Sequence, residues 1–223
     1  MGKLFIIPTP IGNLEDITYR AVRILGDLDL VLAEDTRNTR VLFTKYKIKT
    51  KLMSYHAFNE HDKYKKYIGL IKQGSKVGLV SDAGTPAISD PGFLIIRECI
   101  KQNLEVECLP GATALIPAIV QSGISCQRFI FEGFLPLKKG RKKRMQLLSE
   151  ETKTVIIYES PHRILKTLTQ LLDFVGEYRL ISVIKEISKI HEETHRGKIS
   201  DIINLFDVIK PRGEFVIVVD GKK

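Results

Sequence analysis

The sequence predicts two α/β domains, and three observations carry that expectation. Short apolar, β-branched runs alternate with helical stretches through the first half, the pattern of a mainly parallel sheet with right-handed crossovers. One of these runs, residues 76–80, opens into a twelve-residue polar loop, SDAGTPAISDPG, and then into an apolar helical stretch. The length of 223 residues holds one large or two small domains. The division is placed at residue 120: residues 1–120 form the mainly parallel α/β domain and residues 121–223 a mixed-sheet α/β domain.

The elements follow in order. Residues 4–7 (LFII) make the first strand, and the loop PTPIGNLEDI leads to a helix over 18–25. In that loop Pro8 and Pro10 flank Thr9, and Gly12-Asn13 supplies a turn. Strand 30–33 runs into Glu34-Asp35-Thr36-Arg37 and a helix ending near residue 46. The third strand ends at Ser54-Tyr55-His56. A helix over 60–72 follows, with Tyr64, Tyr67, Ile68 and Ile71 at i, i+3, i+4 and i+7 on one buried face. That spacing makes the tyrosines core-lining rather than a platform for stacked bases. Strand 76–80, the central loop 81–92, a helix over 93–100, strand 104–109 and a helix from Pro110-Gly111 to about residue 122 complete the half.

The second half opens with a strand at 129–131 that runs into EGFLP, then KKGRKKR and a helix to about residue 150. Strand 154–157 ends in YESPHR, and the next helix carries Ile164, Leu168, Leu171, Leu172 and Val175 as its apolar stripe. Strand 180–184, the polar stretch KEISKIHEETHRGK, a helix over 202–206 and a closing strand over 215–219 finish the chain.

Composition narrows the function classes. No apolar run approaches the ~20 residues that cross a bilayer. The start, MGKLFIIPTP, is too short in apolar residues for a secretory signal, and Ile6 breaks the myristoylation pattern. Cys99, Cys108 and Cys126 lack metal or disulfide spacing and are expected as reduced core residues of a cytoplasmic protein. A net charge of +9 with a pI near 9.4 points to a polyanionic partner. Nucleic acid fits better than a membrane, because no basic helix faces an apolar stripe.

Common nucleotide loops are missing, since neither GxGxxG after a strand nor GxxxxGK[ST] occurs. HEETH at 191–195 does match HExxH, the zinc-peptidase pattern, whose two histidines must share one face of a helix. Its flanks, Ile187, Ile190 and Thr194 before Gly197, form a short polar segment without a third ligand downstream. In a strand the two histidines stand about 13 Å apart, at about 3.3 Å per residue, too far for one ion. No metal is expected. The central loop is the stronger feature. It follows a strand end, where open α/β sheets place ligands. Glycine permits close backbone approach and proline stiffens the loop, although capped turns use the same residues. The loops Thr9-Pro10, Asp82 with Gly84-Thr85, Pro110 to Ala114 and Tyr158-Glu159-Ser160 all follow strand ends.

Taken together, these stretches resemble the tetrapyrrole methylase superfamily. The resemblance is carried by PTPIGNLEDIT at 8–18, AEDTR at 33–37, SYH at 54–56, VSDAGTPAISDPG at 80–92, LPGATAL at 109–115, FEGFLP at 131–136, YESPHRI at 158–164 and GEFVIVV at 213–219. It spans essentially the whole chain. Within the superfamily the sequence resembles bacterial enzymes that 2′-O-methylate a cytidine of small-subunit (16S) ribosomal RNA near the decoding centre. Three positions depart from the expected pattern: Asn38 replaces histidine, Arg40 glycine and Lys185 arginine, which touches the detail of RNA contact.

The resemblance implies S-adenosyl-L-methionine (SAM) held in a cleft between the two domains, a homodimer, and the small ribosomal subunit or its RNA as partner. Pro10, Asp82, Gly84, Thr85 and Ile88 are implied to border the cofactor. Thr113 and Ala114 are implied near its methionine part, and Tyr158, Glu159 and Glu186 on the adenosine side. A carboxylate such as Asp82 accepts hydrogen bonds from the ligand, and a helix start after Pro110-Gly111 suits a carboxylate; Thr113 equally suits a helix cap. A ribose hydroxyl is helped by a base, for which Glu34, Asp35 and His56 are candidates. Helix capping accounts equally well for Glu34 and Asp35, and His56 also suits a satisfied strand end. For RNA the run Lys138, Lys139, Arg141, Lys142, Lys143 and Arg144 is the electrostatic footprint, or else a solvated loop. Arg37, Arg40 and Arg163 are placed to grip phosphate. Methylation of a small tetrapyrrole, or RNA binding without catalysis, are the alternative readings.

Overall fold

The structure, a computed structural model, describes residues 2–208 and 210–223. The chain divides into two compact units, Met1–Thr113 and Ala114–Lys223.

The first unit is built on β1 (Lys3–Ile6), α1 (Tyr19–Asp27), β2 (Leu30–Ala33), α2 (Thr36–Lys45), β3 (Leu52–Ser54), α3 (Glu60–Lys72), β4 (Lys76–Val80), α4 (Phe93–Lys101) and β5 (Glu105–Cys108). Its five strands lie in the order β3-β2-β4-β1-β5, every pairing parallel. The inner strands β2 and β4 read as near-continuous apolar runs because both faces are covered. Leu4, Ile6, Leu30, Leu32, Val77 and Leu79 face a core that includes Tyr67, Ile68 and Ile71 of α3 and Ile95 and Cys99 of α4. The alternate residues Ile7, Val31, Ala33 and Val80 face a second core with Ala21 and Leu25 of α1 and Phe43 of α2. Tyr67 is buried and Tyr64 packs against the first core, so the tyrosines of α3 line the interior as their spacing predicted. Caps set two helix starts: Thr18 accepts from the Ala21 N–H, and Asp35 from the Arg37 N–H.

The second unit comprises α5 (Leu115–Ser122), β6 (Phe129–Phe134), α6 (Arg141–Glu150), β7 (Thr154–Glu159), α7 (Ile164–Val175), β8 (Leu180–Lys185), β9 (Glu193–Lys198), α8 (Ile199–Val208) and β10 (Phe215–Val219). Its sheet has the order β6-β7-β10-β8-β9, with β6 and β7 parallel and the other neighbours antiparallel. One core joins the sheet to α6, α7 and α8 through Met145, Leu148, Ile164, Leu168, Leu171, Ile202 and Phe206. Helix α5 packs against β8 and β10, so it belongs with the second sheet, whereas residue 120 would cut through it.

Three expectations change. The stretch KEISKIHEETHRGK, expected to be polar and without an element of its own, contains an edge strand: Glu193–Lys198 pairs with β8, His195 lies opposite Val183, and its ring meets Phe206 at 5.3 Å. The segment's polar content hid the strand, because only one neighbour and one core face constrain it. Cys99 is buried, but Cys108 and Cys126 are exposed, Cys108 at the end of β5 and Cys126 in the loop between α5 and β6. The final helix starts at Ile199, three residues before the expected 202. Among the described residues no helix is long and apolar enough to cross a membrane.

Candidate functional site

In the first unit, five parallel strands deliver five loops to one end of the sheet. Three of those loops are knitted together. Thr9, after β1, and Gly84, after β4, exchange both backbone hydrogen bonds at 2.9 Å. The Thr9 hydroxyl also donates to the Ser81 carbonyl at 3.1 Å. Thr85 donates to the Ala112 carbonyl of the β5 loop, again at 3.1 Å. Gly111 lets that loop approach the first: a Cβ there would stand 2.6 Å from Pro8 Cβ. Gly84 has φ +79°, which only glycine adopts freely.

The central loop carries further strain. Ala87 and Ser89 hold φ of 70° and 65°, in a region that side chains with a Cβ avoid. Such conformations persist where surrounding contacts impose them, and they concentrate at ligand sites. Ile88 lies between them and is 38% exposed.

The loop after β2 brings three carboxylates together. Asp82 accepts from the Asp35 N–H and from Asn38 Nδ2, each at 3.0 Å, and the Asp82 N–H points at Glu34 Oε2 from 3.5 Å. Partial burial pushes the Glu34 carboxyl up, and the charges of Asp82 and Asp35 add to that against the Asp82 N–H and His56. Asp35 behaves oppositely. Its fork with Arg37, at 2.6 to 3.1 Å, holds it down at about 2. Asp35 therefore caps α2 and anchors Arg37, whose side chain remains 89% exposed. Asn59 Nδ2 lies 2.9 Å from His56 Nε2, and His56 Nδ1 is a buried atom with no hydrogen-bond partner among the described residues.

In the second unit the expected residues fall into two groups. Glu159 is 1% exposed, and its oxygens take the Ser160 N–H at 2.8 Å, Arg163 Nε at 2.7 Å and the Thr167 hydroxyl at 2.7 Å. Arg141 continues this network to Thr167, Gln170 and the Pro136 carbonyl at 2.6, 2.7 and 3.1 Å. Arg141 was expected in an exposed basic run. It is buried instead, because the first residue of α6 turns inward onto α7. Arg163 is likewise engaged by Glu159. Tyr158 stacks edge-on against Phe131 and Phe134 at 4.9 and 5.9 Å. Glu186, at φ 54°, accepts from the Glu214 N–H and from Lys189, each at 2.8 Å. Burial raises its carboxyl, but Lys189 and the Glu214 N–H outweigh that and leave it below the ordinary range.

Ala114, not Thr113, occupies the N-cap of α5, and no side chain caps that helix. Lys138, Lys139, Lys142 and Lys143 are exposed, whereas Arg144 pairs with Glu132. Arg40 is exposed, and Lys185 pairs with Glu193 at 3.0 Å. Sequence reasoning missed Asn38 as the partner of Asp82, and no local signal marks a pair 44 residues apart.

Residues 3–203 match the model of the family described as Tetrapyrrole (Corrin/Porphyrin) Methylases. The chain belongs to this family. It is a methyltransferase, and SAM is the donor that this family membership implies. Among curated relatives, ribosomal RNA small subunit methyltransferase I of Thermotoga maritima is 46% identical over 223 residues, covering 100% of both chains. The Bacillus subtilis protein of the same name is 45% identical over 222 residues, 99% of this chain and 76% of that one. Solved structures share the fold at low identity. Diphthine synthase gives a TM-score of 0.76 at 12% identity, covering 99% of this chain and 90% of that one. Uroporphyrin-III C-methyl transferase of Thermus thermophilus, complexed with S-adenyl homocysteine, gives 0.68 at 14%, covering 98% and 97%.

Proposed function

We propose that this methyltransferase transfers the methyl of SAM to the 2′-oxygen of a cytidine in small-subunit (16S) ribosomal RNA near the decoding centre, working as a homodimer. The observation that carries the reading is the 46% identity to the Thermotoga relative over the full length of both chains. The net charge of +9 supports a polyanionic substrate.

The first unit's loops fit the donor's amino acid part. Gly84 lies in a cradle whose wall a Cβ would reach at 3.4 Å from Ile11 and 3.7 Å from the Ala112 carbonyl. Pro10, Gly84, Thr85, Ile88 and Thr113 are the residues proposed to line it, with Asp82 bracing the loop from the β2 side. When bound, SAM supplies a sulfonium methyl already activated for transfer to oxygen. The chain must then align the ribose hydroxyl and accept its proton as the new O–CH₃ bond forms. Of Glu34, Asp35 and His56, Glu34 suits the base role best. Its carboxyl is pushed up and no cation pairs with it among the described residues, whereas Asp35 is locked to Arg37.

The test is transfer of labelled methyl from SAM to undermethylated small subunits, with nuclease mapping of the product. Label on a single cytidine 2′-oxygen is expected. No label on subunits or on naked RNA, with SAM still bound by the protein, would refute the substrate assignment.

A further inference from the structure

Residues 36–59 contain Arg37, Arg40, Lys45, Lys47, Lys49 and Lys51 and no acidic residue, a charge of +6 within a chain of net +9. Arg37 is tied to Asp35. The other five are exposed and form no ion pair among the described residues. Between α2 and β3 the chain alternates. Ile48 packs against the core and Thr50 donates to the Leu25 carbonyl at 2.5 Å, while Lys47, Lys49 and Lys51 face out. Lys45 closes α2 and Lys47 takes the turn after it, while Lys49 and Lys51, alternate residues of the segment leading into β3, stand about 6.6 Å apart at the extended rise per residue, a spacing of the order of successive phosphates on a nucleic-acid strand. The row leads into β3, an edge strand of the sheet, and past its end to Phe58, 95% exposed.

Lys47 supplies an independent observation. Helices α2, α3 and α4 end in the same double hydrogen-bond motif: Ile48, Ser75 and Leu104 N–H groups return to Phe43, Leu70 and Cys99 carbonyls at 2.9 to 3.0 Å. The motif needs a left-handed residue just after the C-cap, and glycine or asparagine is favoured there. After α3 it is Gly74 (φ 105°) and after α4 Asn103 (φ 54°), but after α2 it is Lys47 (φ 54°). Glycine adopts this conformation at lower cost, so Lys47 sits there against a backbone preference.

We propose that Lys45, Lys47, Lys49 and Lys51 form a phosphate-binding track for the RNA substrate, ending at Phe58, on which an unpaired base stacks. The inference rests on the RNA reading above. Lysines also blunt an edge strand against pairing with other chains, but that role does not affect RNA affinity.

The experiment measures binding of the full-length protein to small-subunit ribosomal RNA as a function of salt. For Lys45→Gln, Lys47→Gln, Lys49→Gln and Lys51→Gln combined, the slope of log K against log salt is expected to shrink by about 3, for four phosphate contacts, with SAM affinity unchanged. Lys47→Gly is expected to raise Tm while weakening RNA binding several-fold, opposite effects that a purely structural lysine does not give. Phe58→Ala should lower affinity without altering the slope. An unchanged slope in the fourfold variant, with the wild type binding normally, overturns the track and leaves the substrate assignment intact. Failure of the wild type to bind this RNA in a salt-dependent way overturns both.

Discussion

The Asn38 side-chain amide donates to Asp82 Oδ2 at 3.0 Å, tying the first turn of α2 to the loop after β4. The N–H of Asp35, the N-cap of α2, fills the other oxygen at 3.0 Å, so Asp82 serves as a brace before it meets any ligand. Asp82→Ala is therefore expected to cost about 1–2 kcal/mol of stability, for two hydrogen bonds to a charged acceptor near the surface. It should also weaken SAM binding at least tenfold. Calorimetric titration with SAM, alongside a thermal melt, checks both. Unaltered SAM affinity in a folded Asp82→Ala protein would remove the loop from the cofactor site.

Glu34 should leave a signature in pH. Burial raises its carboxyl above the usual 4.5, so the folded chain keeps a proton that the unfolded chain has already released. Its effect is absent below 4.5, and stability declines as pH rises through the window up to the raised value. Glu34→Gln is expected to flatten that decline and to slow methyl transfer by about 10²-fold or more, the scale of a lost general base. Melts across a pH series that brackets this window test the first outcome, and single-turnover rates the second. A Glu34→Gln protein that transfers methyl at the wild-type rate would exclude the base role.

Arg141 and its neighbours separate structure from surface charge. Arg141→Ala is expected to destabilise the second unit by about 3–5 kcal/mol, because it strips a buried charged network of one member. Urea unfolding measures this. A loss under about 1 kcal/mol, the scale of an exposed pair, would show that water replaces the guanidinium.

Lys138, Lys139, Lys142 and Lys143 are exposed on the same run. Their joint replacement by Gln is expected to leave stability within about 0.5 kcal/mol and to reduce the salt dependence of RNA binding. Unchanged salt dependence would make the run a solvated loop.

Gly111 tests the close approach of the β1 and β5 loops. A Cβ 2.6 Å from Pro8 Cβ must displace one loop, so Gly111→Ala is expected to cost about 1–3 kcal/mol and to lower SAM affinity. A melt and a SAM titration that both match the wild type would show that the loops move apart freely.

The sequence by itself determined the two-sheet α/β architecture, the strands Leu30–Ala33, Lys76–Val80 and Phe215–Val219, and the helices Glu60–Lys72 and Ile164–Val175. Buried strands and amphipathic helices are written in local periodicity, which a single stretch displays in full. The family too was legible, because its motifs are contiguous. Tertiary structure alone decided that Arg141 is internal, that α5 packs with the second sheet, that Glu193–Lys198 is an edge strand and that Asn38 holds Asp82. Each of these depends on partners remote in the chain. A charge run looks the same whether or not one member turns inward, and a hydrogen bond between residues 44 apart leaves no periodic trace. Local pattern specifies which elements form, while packing specifies which side chains remain free to meet a ligand.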